Sequence, residues 1–168
     1  NEEPLIMANE TAPAGGPAAR IDNVTQYVKV LSFESPRSPA SILQGSEEPH
    51  GELKVQVKVR KMGGDNYEVI LQFQVESTKE GEVAFLIELH YAGVFTVTGF
   101  PEKELEPALM IECPRILYPF ARRVIADVVR DGGFPQLMLG PIDFVQLYKM
   151  FGPQNQPDAA KETEATDA

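Results

Sequence analysis

Apolar and polar residues alternate along four stretches of the first hundred residues, a spacing typical of strands that bury one face. The predicted strands run approximately over residues 24–34, 53–60, 67–76 and 83–98. In the second of them, Leu53 and Val55 alternate with Lys54 and Gln56. Turns rich in glycine separate the last three strands, so we expect these strands to pair antiparallel. Within the fourth strand, Gly93 predicts a bulge or a bend.

The spacing becomes helical after residue 100. Three helices are predicted: a short one between Pro101 and Pro107, a long one that starts near Tyr118 or is kinked there, and a last one capped by Asp143 that runs to about Phe151. Gly132 and Gly133 are expected to end the long helix as its C-terminal cap. Four strands followed by helices indicate an α+β fold, in which an antiparallel sheet packs against one long and one shorter C-terminal helix.

The long helix carries two adjacent apolar rows. The rows are Ile116, Phe120, Val124 and Val128, and Leu117, Ala121, Ile125 and Val129. Together they cover roughly 220°, about twice the stripe that a surface helix buries against one core. Such a helix needs two partners, which we expect to be the chain's own sheet and a second copy of the chain. The alternative is that the chain's own segments wrap the helix on both sides.

The ends of the chain and one internal loop differ in composition from the rest. Residues 1–22 are rich in alanine, proline and glycine, and residues 152–168 are acidic, so we expect two disordered tails around a single domain at residues 23–151. Pro36 and Pro39 interrupt the first strand, and the loop that follows, Ser35–Gly51, is unusually long for a compact domain. The loop is either a plain connector or a functional segment.

Charge and composition exclude several partners. The net charge of −10 opposes binding to nucleic acid or to an anionic membrane. We expect no membrane-spanning helix and no signal peptide, because no tract is apolar for long enough. The single cysteine, Cys113, rules out an internal disulfide and suits a reducing cytoplasm.

We find no convergent set of catalytic groups and expect neither a cofactor nor a metal. His50 and His90 have no ligand partners at metal-binding spacing, and Cys113 lies in an apolar segment, as a structural thiol does. Nucleotide-binding and nucleophile motifs are absent from the sequence. The pattern favours a binding protein over an enzyme. A small-molecule carrier or enzyme that uses the cup beneath the sheet is the alternative from another class.

Apolar residues also occur in segments that are not predicted to be core. They are Phe134, Leu137, Met138, Leu139, Ile142 and Phe144 after the long helix, and Phe33 and Ile42 beside the long loop. These residues either close the open side of the sheet or form an exposed apolar groove. Methionine and aromatic side chains suit a groove that binds varied partners, because they repack easily.

Three segments resemble the SecB protein-export chaperone family. The family's C-P-x-I-L-F-P-Y-A-R helix is similar to CPRILYPFARRVIADVV, and its G-x-F-P-x-L-x-L-x-P-x-N-F loop is similar to GGFPQLMLGPIDFVQLY. Its I-S-F-E-x-P-x-x-P segment is similar to LSFESPRSP near the first strand. The resemblance extends from about Tyr27 to Phe151. The family motif has phenylalanine at the position of Tyr118 and tyrosine at the position of Phe120, so the two aromatic residues are in the reverse order here. Asp143 stands where asparagine is common.

The resemblance implies a function and three kinds of site. The chain would be an ATP-independent holdase that binds unfolded precursor proteins and delivers them to the SecA translocation ATPase. The client groove would contain the eight apolar residues named above. The contact with SecA would use Glu34, Leu86 and Glu88, although Val30 stands where the family often has another acid.

The third site implied by the resemblance is an oligomer interface. Two chains would pair along Ile87, Leu89 and Tyr91, and the long helices, through Val124, Ile125 and Val128, would join two dimers into a homotetramer. A SecB-like chaperone dedicated to an antitoxin remains a neighbouring alternative. The match at Glu34, Leu86 and Glu88 favours the export role.

Overall fold

The computed structural model describes residues 16–43 and 50–152. It contains four long strands: β1 (Arg20–Glu34), β2 (His50–Gly63), β3 (Asn66–Lys79) and β4 (Glu82–Thr98). They form one antiparallel sheet in the order β1-β4-β3-β2. The four predicted strands are confirmed, and the observed strands are longer than the alternating pattern suggests.

The two edges of the sheet are formed by the first two strands in the chain. The segment that links β1 to β2 must therefore cross from one edge to the other. Its first part contains a short helix, α1 (Ala40–Leu43), and residues 44–49 lie outside the described part of the chain. The predicted domain start at residue 23 is too late, because Arg20, Ile21 and Asp22 already pair with β4. Of the two predicted tails, residues 1–15 and 153–168 lie outside the described residues.

The helical part follows β4 without a long loop. It comprises α2 (Glu102–Pro107), a π-helical segment (Ala108–Glu112), α3 (Cys113–Asp131) and α4 (Phe144–Phe151). The long helix α3 starts at Cys113 and not near Tyr118, because it continues the π-helical segment directly, so that Pro114 and Pro119 both lie within it. The predicted caps are confirmed. The Gly132 N–H donates to the carbonyl of Val128 at 2.8 Å, and the Asp143 carboxylate accepts from the Gln146 N–H at 3.1 Å.

The core lies between the inner face of the sheet and one row of α3. Leu117, Ala121, Ile125 and Val129 are all 0% exposed. The second row behaves differently: Ile116 and Phe120 are 39% and 49% exposed, and the other two members are half-buried. The prediction that this helix carries more apolar surface than one core uses is therefore confirmed.

Gly93 allows α3 to approach the sheet closely. A Cβ at this position would lie 2.9 Å from Cδ2 of Leu117, closer than real Cβ atoms come. β4 runs through Gly93 without a bulge, and the register shifts between β1 and β4 correspond to extra residues in β1. Of the bulge or bend predicted at Gly93, the bulge is absent, and the glycine makes room for Leu117 of α3.

Candidate functional site

Three phenylalanine rings meet where β1, β4 and the end of α3 come together. The ring centroids of Phe85 and Phe134 are 5.0 Å apart, those of Phe33 and Phe85 are 5.8 Å apart, and those of Phe33 and Phe134 are 6.4 Å apart. Phe85 is buried, whereas Phe33 and Phe134 are half-buried. The cluster is therefore an apolar surface with two partly accessible rings.

Two glycines at the end of α3 make room for this cluster. A Cβ at Gly132 would overlap the ring of Phe33, so any other residue there would displace this ring. Gly133 has φ 88°, a conformation that favours glycine, and a Cβ on it would lie 3.1 Å from Cδ1 of Ile42. Ile42, on α1, is 38% exposed. The structure thus brings together Phe33, Ile42 and Phe134, which are distant in the sequence.

The segment that follows, residues 134–142, is the apolar loop. Leu137, Leu139 and Ile142 are half-buried and pack against the core, and Met138 is 60% exposed. Phe144 does not belong to the groove. It is 2% exposed and its ring packs edge-on against Tyr118 with centroids 5.9 Å apart, because the first turn of α4 points it into the core. Phe85, which completes the aromatic cluster, was missed as a site residue. It alternates with Leu86 on β4 and is buried on the inner face of the sheet.

The outer face of the sheet carries an acidic patch. Glu34 on β1 lies opposite Leu86 on β4, Leu86 lies opposite Glu76 on β3, and Glu76 lies opposite Glu52 on β2. Glu88 is on the next cross-strand row, opposite Ser32 and Gln74. These residues line a shallow depression of about 310 Å³. The structure therefore brings Glu34, Leu86 and Glu88 together, and their role stays a prediction.

Glu52 and Glu76 are members of the patch that were not predicted. Like charges directly opposite each other destabilise a sheet, so their pairing is unfavourable for folding alone. Both residues lie on outward positions of their strands, but the sequence pattern did not show which strands are neighbours. Lys54 also lines the depression, and Nε2 of His90 lies 3.1 Å from the Glu88 carboxylate. Val30, 37% exposed, lies opposite His90 on this same outer face.

The predicted oligomer interface needs a correction. Ile87, Leu89 and Tyr91 are 3%, 0% and 8% exposed, and they lie on the inner face of β4, a central strand. Ile125 is 0% exposed in the row of α3 that faces the sheet. These four side chains pack within the chain, so placing them on a surface between chains is wrong.

Other apolar residues are accessible instead. Val124 and Val128 are half-buried beside the exposed Ile116 and Phe120 on the outer row of α3. The edge strand β1 also exposes apolar side chains, namely Val24 at 62%, Val28 at 44% and Leu31 at 44%. The β1 edge was missed because the order of the strands cannot be read from their alternation.

The thiol of Cys113 is buried in the core. Burial, and secondarily the charge of Glu112, raise the pKa of the Cys113 thiol to about 12. The thiol is therefore protonated at neutral pH, which suits a core residue rather than a nucleophile. Among residues 16–43 and 50–152, no three histidine, cysteine, aspartate or glutamate side chains are grouped so that they could hold a metal ion.

A family model supplies the identification. The model described as Preprotein translocase subunit SecB matches residues 16–155, most of the chain. The chain belongs to the SecB family. Protein-export protein SecB of Parvibaculum lavamentivorans is 49% identical to this chain over 145 residues, which cover 86% of each protein. Protein-export protein SecB of Bradyrhizobium diazoefficiens is 45% identical over 145 residues, covering 86% of this chain and 90% of the relative.

A solved structure supports the SecB fold independently. It is a SecB-like chaperone of Mycobacterium tuberculosis in complex with a peptide from an antitoxin, with a TM-score of 0.61 over 74% of this chain and 91% of that one. At 15% identity this likeness shows the fold alone. Together the comparisons confirm the resemblance, the α+β fold and the class of protein-export chaperone. In the described part of this SecB chain, no helix has the length and apolar character that a membrane crossing requires.

Proposed function

We propose that this SecB chain is a cytoplasmic, ATP-independent holdase that binds unfolded precursors on one side of its sheet and SecA on the other. The observation that carries this proposal is the alternation of adjacent residues on two strands. On β1, Phe33 belongs to the aromatic cluster and Glu34 to the acidic patch. On β4, Phe85 belongs to the aromatic cluster and Leu86 to the acidic patch. A client and a partner can therefore bind one domain together without competing for the same surface.

The client surface consists of the aromatic cluster, Ile42 and the apolar loop. Half-buried rings and the exposed side chain of Met138 offer many weak apolar contacts to an extended chain. A long client that occupies several such surfaces gains avidity, because each further contact becomes intramolecular.

The partner surface is the acidic patch. Its carboxylates surround Leu86, so the patch suits a partner segment that is basic and carries an apolar anchor. Glu52 and Glu76 add negative charge to the patch in the cross-strand row of Glu34, whereas Val30, opposite His90, adds none. The export name of the relatives at 45% and 49% identity favours SecA as this partner over an antitoxin-dedicated role.

The oligomer we propose is a dimer of dimers. The outer row of α3, with Phe120 at its centre, is the apolar surface on which two dimers would pack. Among the described strands β1 lies at an edge of the sheet, and it exposes Val24 and Val28, which supports pairing with a second chain along this strand.

Two double variants test the separation of the surfaces. Phe134→Ala with Leu137→Ala removes apolar contacts worth about 1 kcal/mol each, so we expect the affinity for an unfolded precursor to fall roughly ten- to thirtyfold. Glu34→Lys with Glu88→Lys should abolish SecA binding and leave the client affinity unchanged. Isothermal titration calorimetry of each variant with each partner measures both effects.

The matched control for the charge reversal is Glu102→Lys with Glu104→Lys, two exposed positions on α2 outside the acidic patch. This control makes the same change in net charge and should bind both partners normally. If the alanine variant keeps its client affinity, or the reversal at Glu34 and Glu88 keeps SecA binding, the corresponding surface is wrongly assigned.

A further inference from the structure

The apolar loop has few polar contacts to hold it in place. Phe134 N–H donates to the carbonyl of Val129 at 3.2 Å, and Asp143 caps α4 at the other end. Between these two points, residues 135–142 form no backbone–backbone hydrogen bond with the described part of the chain. The position of the loop therefore depends on side-chain contacts.

One hydroxyl reaches the middle of this loop. Tyr118, on α3, donates a hydrogen bond to the carbonyl of Gly140. The tyrosine is 8% exposed, and its ring packs between Phe73, with centroids 6.2 Å apart, and Phe144, with centroids 5.9 Å apart. Burial raises the pKa of Tyr118, so the hydroxyl keeps its proton and remains a donor at neutral pH.

The ring and the hydroxyl of Tyr118 make separate contacts. The ring packs against Phe73 and Phe144, whereas the hydroxyl bonds the loop at Gly140. A phenylalanine at position 118 could make the same ring contacts but not the bond to Gly140.

We propose that Tyr118 is a positioning residue of the client surface, whose hydroxyl latches the apolar loop to α3 and so pre-organises that surface for unfolded chains. The latch holds Gly140, and with it the half-buried Leu137, Leu139 and Ile142, against the core. A loop that is already ordered loses less conformational entropy when a client binds. This inference rests on the proposed client role of the loop.

The test is Tyr118→Phe, which removes the hydroxyl and keeps the ring. Methyl order parameters from NMR should fall at Leu137, Leu139 and Ile142 in the free protein. The dissociation rate of an unfolded precursor should rise about two- to tenfold, the range expected for one hydrogen bond. Tyr91→Phe is the control, because it removes a buried hydroxyl that donates to Gln26 on β1 and not to the apolar loop, and it should change neither quantity.

The outcomes separate the latch from the client role. Unchanged methyl order in Tyr118→Phe would overturn the latch, and this readout needs no client. Lower methyl order with an unchanged or slower client dissociation rate would overturn pre-organisation. If the unaltered chain binds no unfolded precursor, the proposed function fails, while the methyl comparison still tests the latch.

Discussion

The carboxylate of Glu68 joins three strands on the outer face of the sheet. Glu68, on β3, is 3% exposed and accepts hydrogen bonds from Lys29 on β1 at 2.9 Å, from Arg60 on β2 at 3.2 Å and from the Tyr27 hydroxyl. Burial alone would raise the pKa of Glu68, but the bonds from Tyr27 and Lys29 outweigh it and hold that pKa below its ordinary value. Burial and the neighbouring Glu68 raise the pKa of Tyr27 to about 12.

The lowered pKa of Glu68 predicts an acid-sensitive contribution to stability. Because its folded pKa lies below the unfolded value of about 4.3, the stabilisation is present above that value and is lost as the pH falls through the folded pKa. Glu68→Gln should lower the free energy of unfolding by about 1 to 3 kcal/mol at neutral pH. The difference from the unaltered protein should shrink below about pH 4. Urea unfolding at several pH values measures it.

Glu52→Gln serves as the control for this experiment, because Glu52 is exposed and should change the free energy of unfolding by less than about 0.5 kcal/mol. A Glu68→Gln protein as stable as this control at neutral pH would show that the cluster contributes nothing. The outward direction of Glu68 follows from strand alternation. Its burial could not be predicted, because Lys29 and Arg60 come from strands on both sides of it.

The helix α3 buries one of its two apolar rows against the sheet and leaves the other partly exposed. The sequence predicted both apolar rows, since each follows the spacing of i and i+4. The sequence could not show which row faces the sheet, because both rows are apolar and the helical spacing does not distinguish them. The choice depends on Leu117, whose side chain packs against the bare backbone of Gly93. Ile125 shares the row of Leu117, so its predicted place in an interface was wrong.

The two rows of α3 should respond differently to a charge. Phe120→Asp places a carboxylate on the outer row, so we expect the oligomer to split into a smaller, folded species. Ile125→Asp buries an unpaired carboxylate in the core, which should unfold the chain at a cost of several kcal/mol. Sedimentation velocity and circular dichroism together separate the two results. A Phe120→Asp protein that sediments like the unaltered protein would place the interface elsewhere.

For the sheet as a whole, strand alternation predicted the face that each residue occupies. It did not predict which strands are neighbours. The four-stranded antiparallel sheet is confirmed, whereas the order β1-β4-β3-β2 depends on long-range pairing that alternation does not encode. Glu52 and Glu76 were missed for this reason. The aromatic cluster was only partly predicted. Phe33 and Phe134 flank loops, where apolar side chains indicate a surface, whereas Phe85 lies within a strand, where an apolar side chain indicates core.

In the proposed function, the client surface and the partner surface lie on opposite sides of one sheet. A precursor held by the aromatic cluster and the apolar loop would leave Glu34, Leu86 and Glu88 accessible on the outer face. We therefore expect a complex of all three proteins to form before the client is released.

Native mass spectrometry of the protein mixed with an unfolded, slow-folding precursor and SecA tests whether one oligomer holds the client and SecA together. We expect a tetramer that takes up the unfolded precursor, ignores the same precursor in its native form, and binds SecA while the client remains bound. A monomer that ignores unfolded chains, or a client and SecA that displace each other, would contradict this expectation.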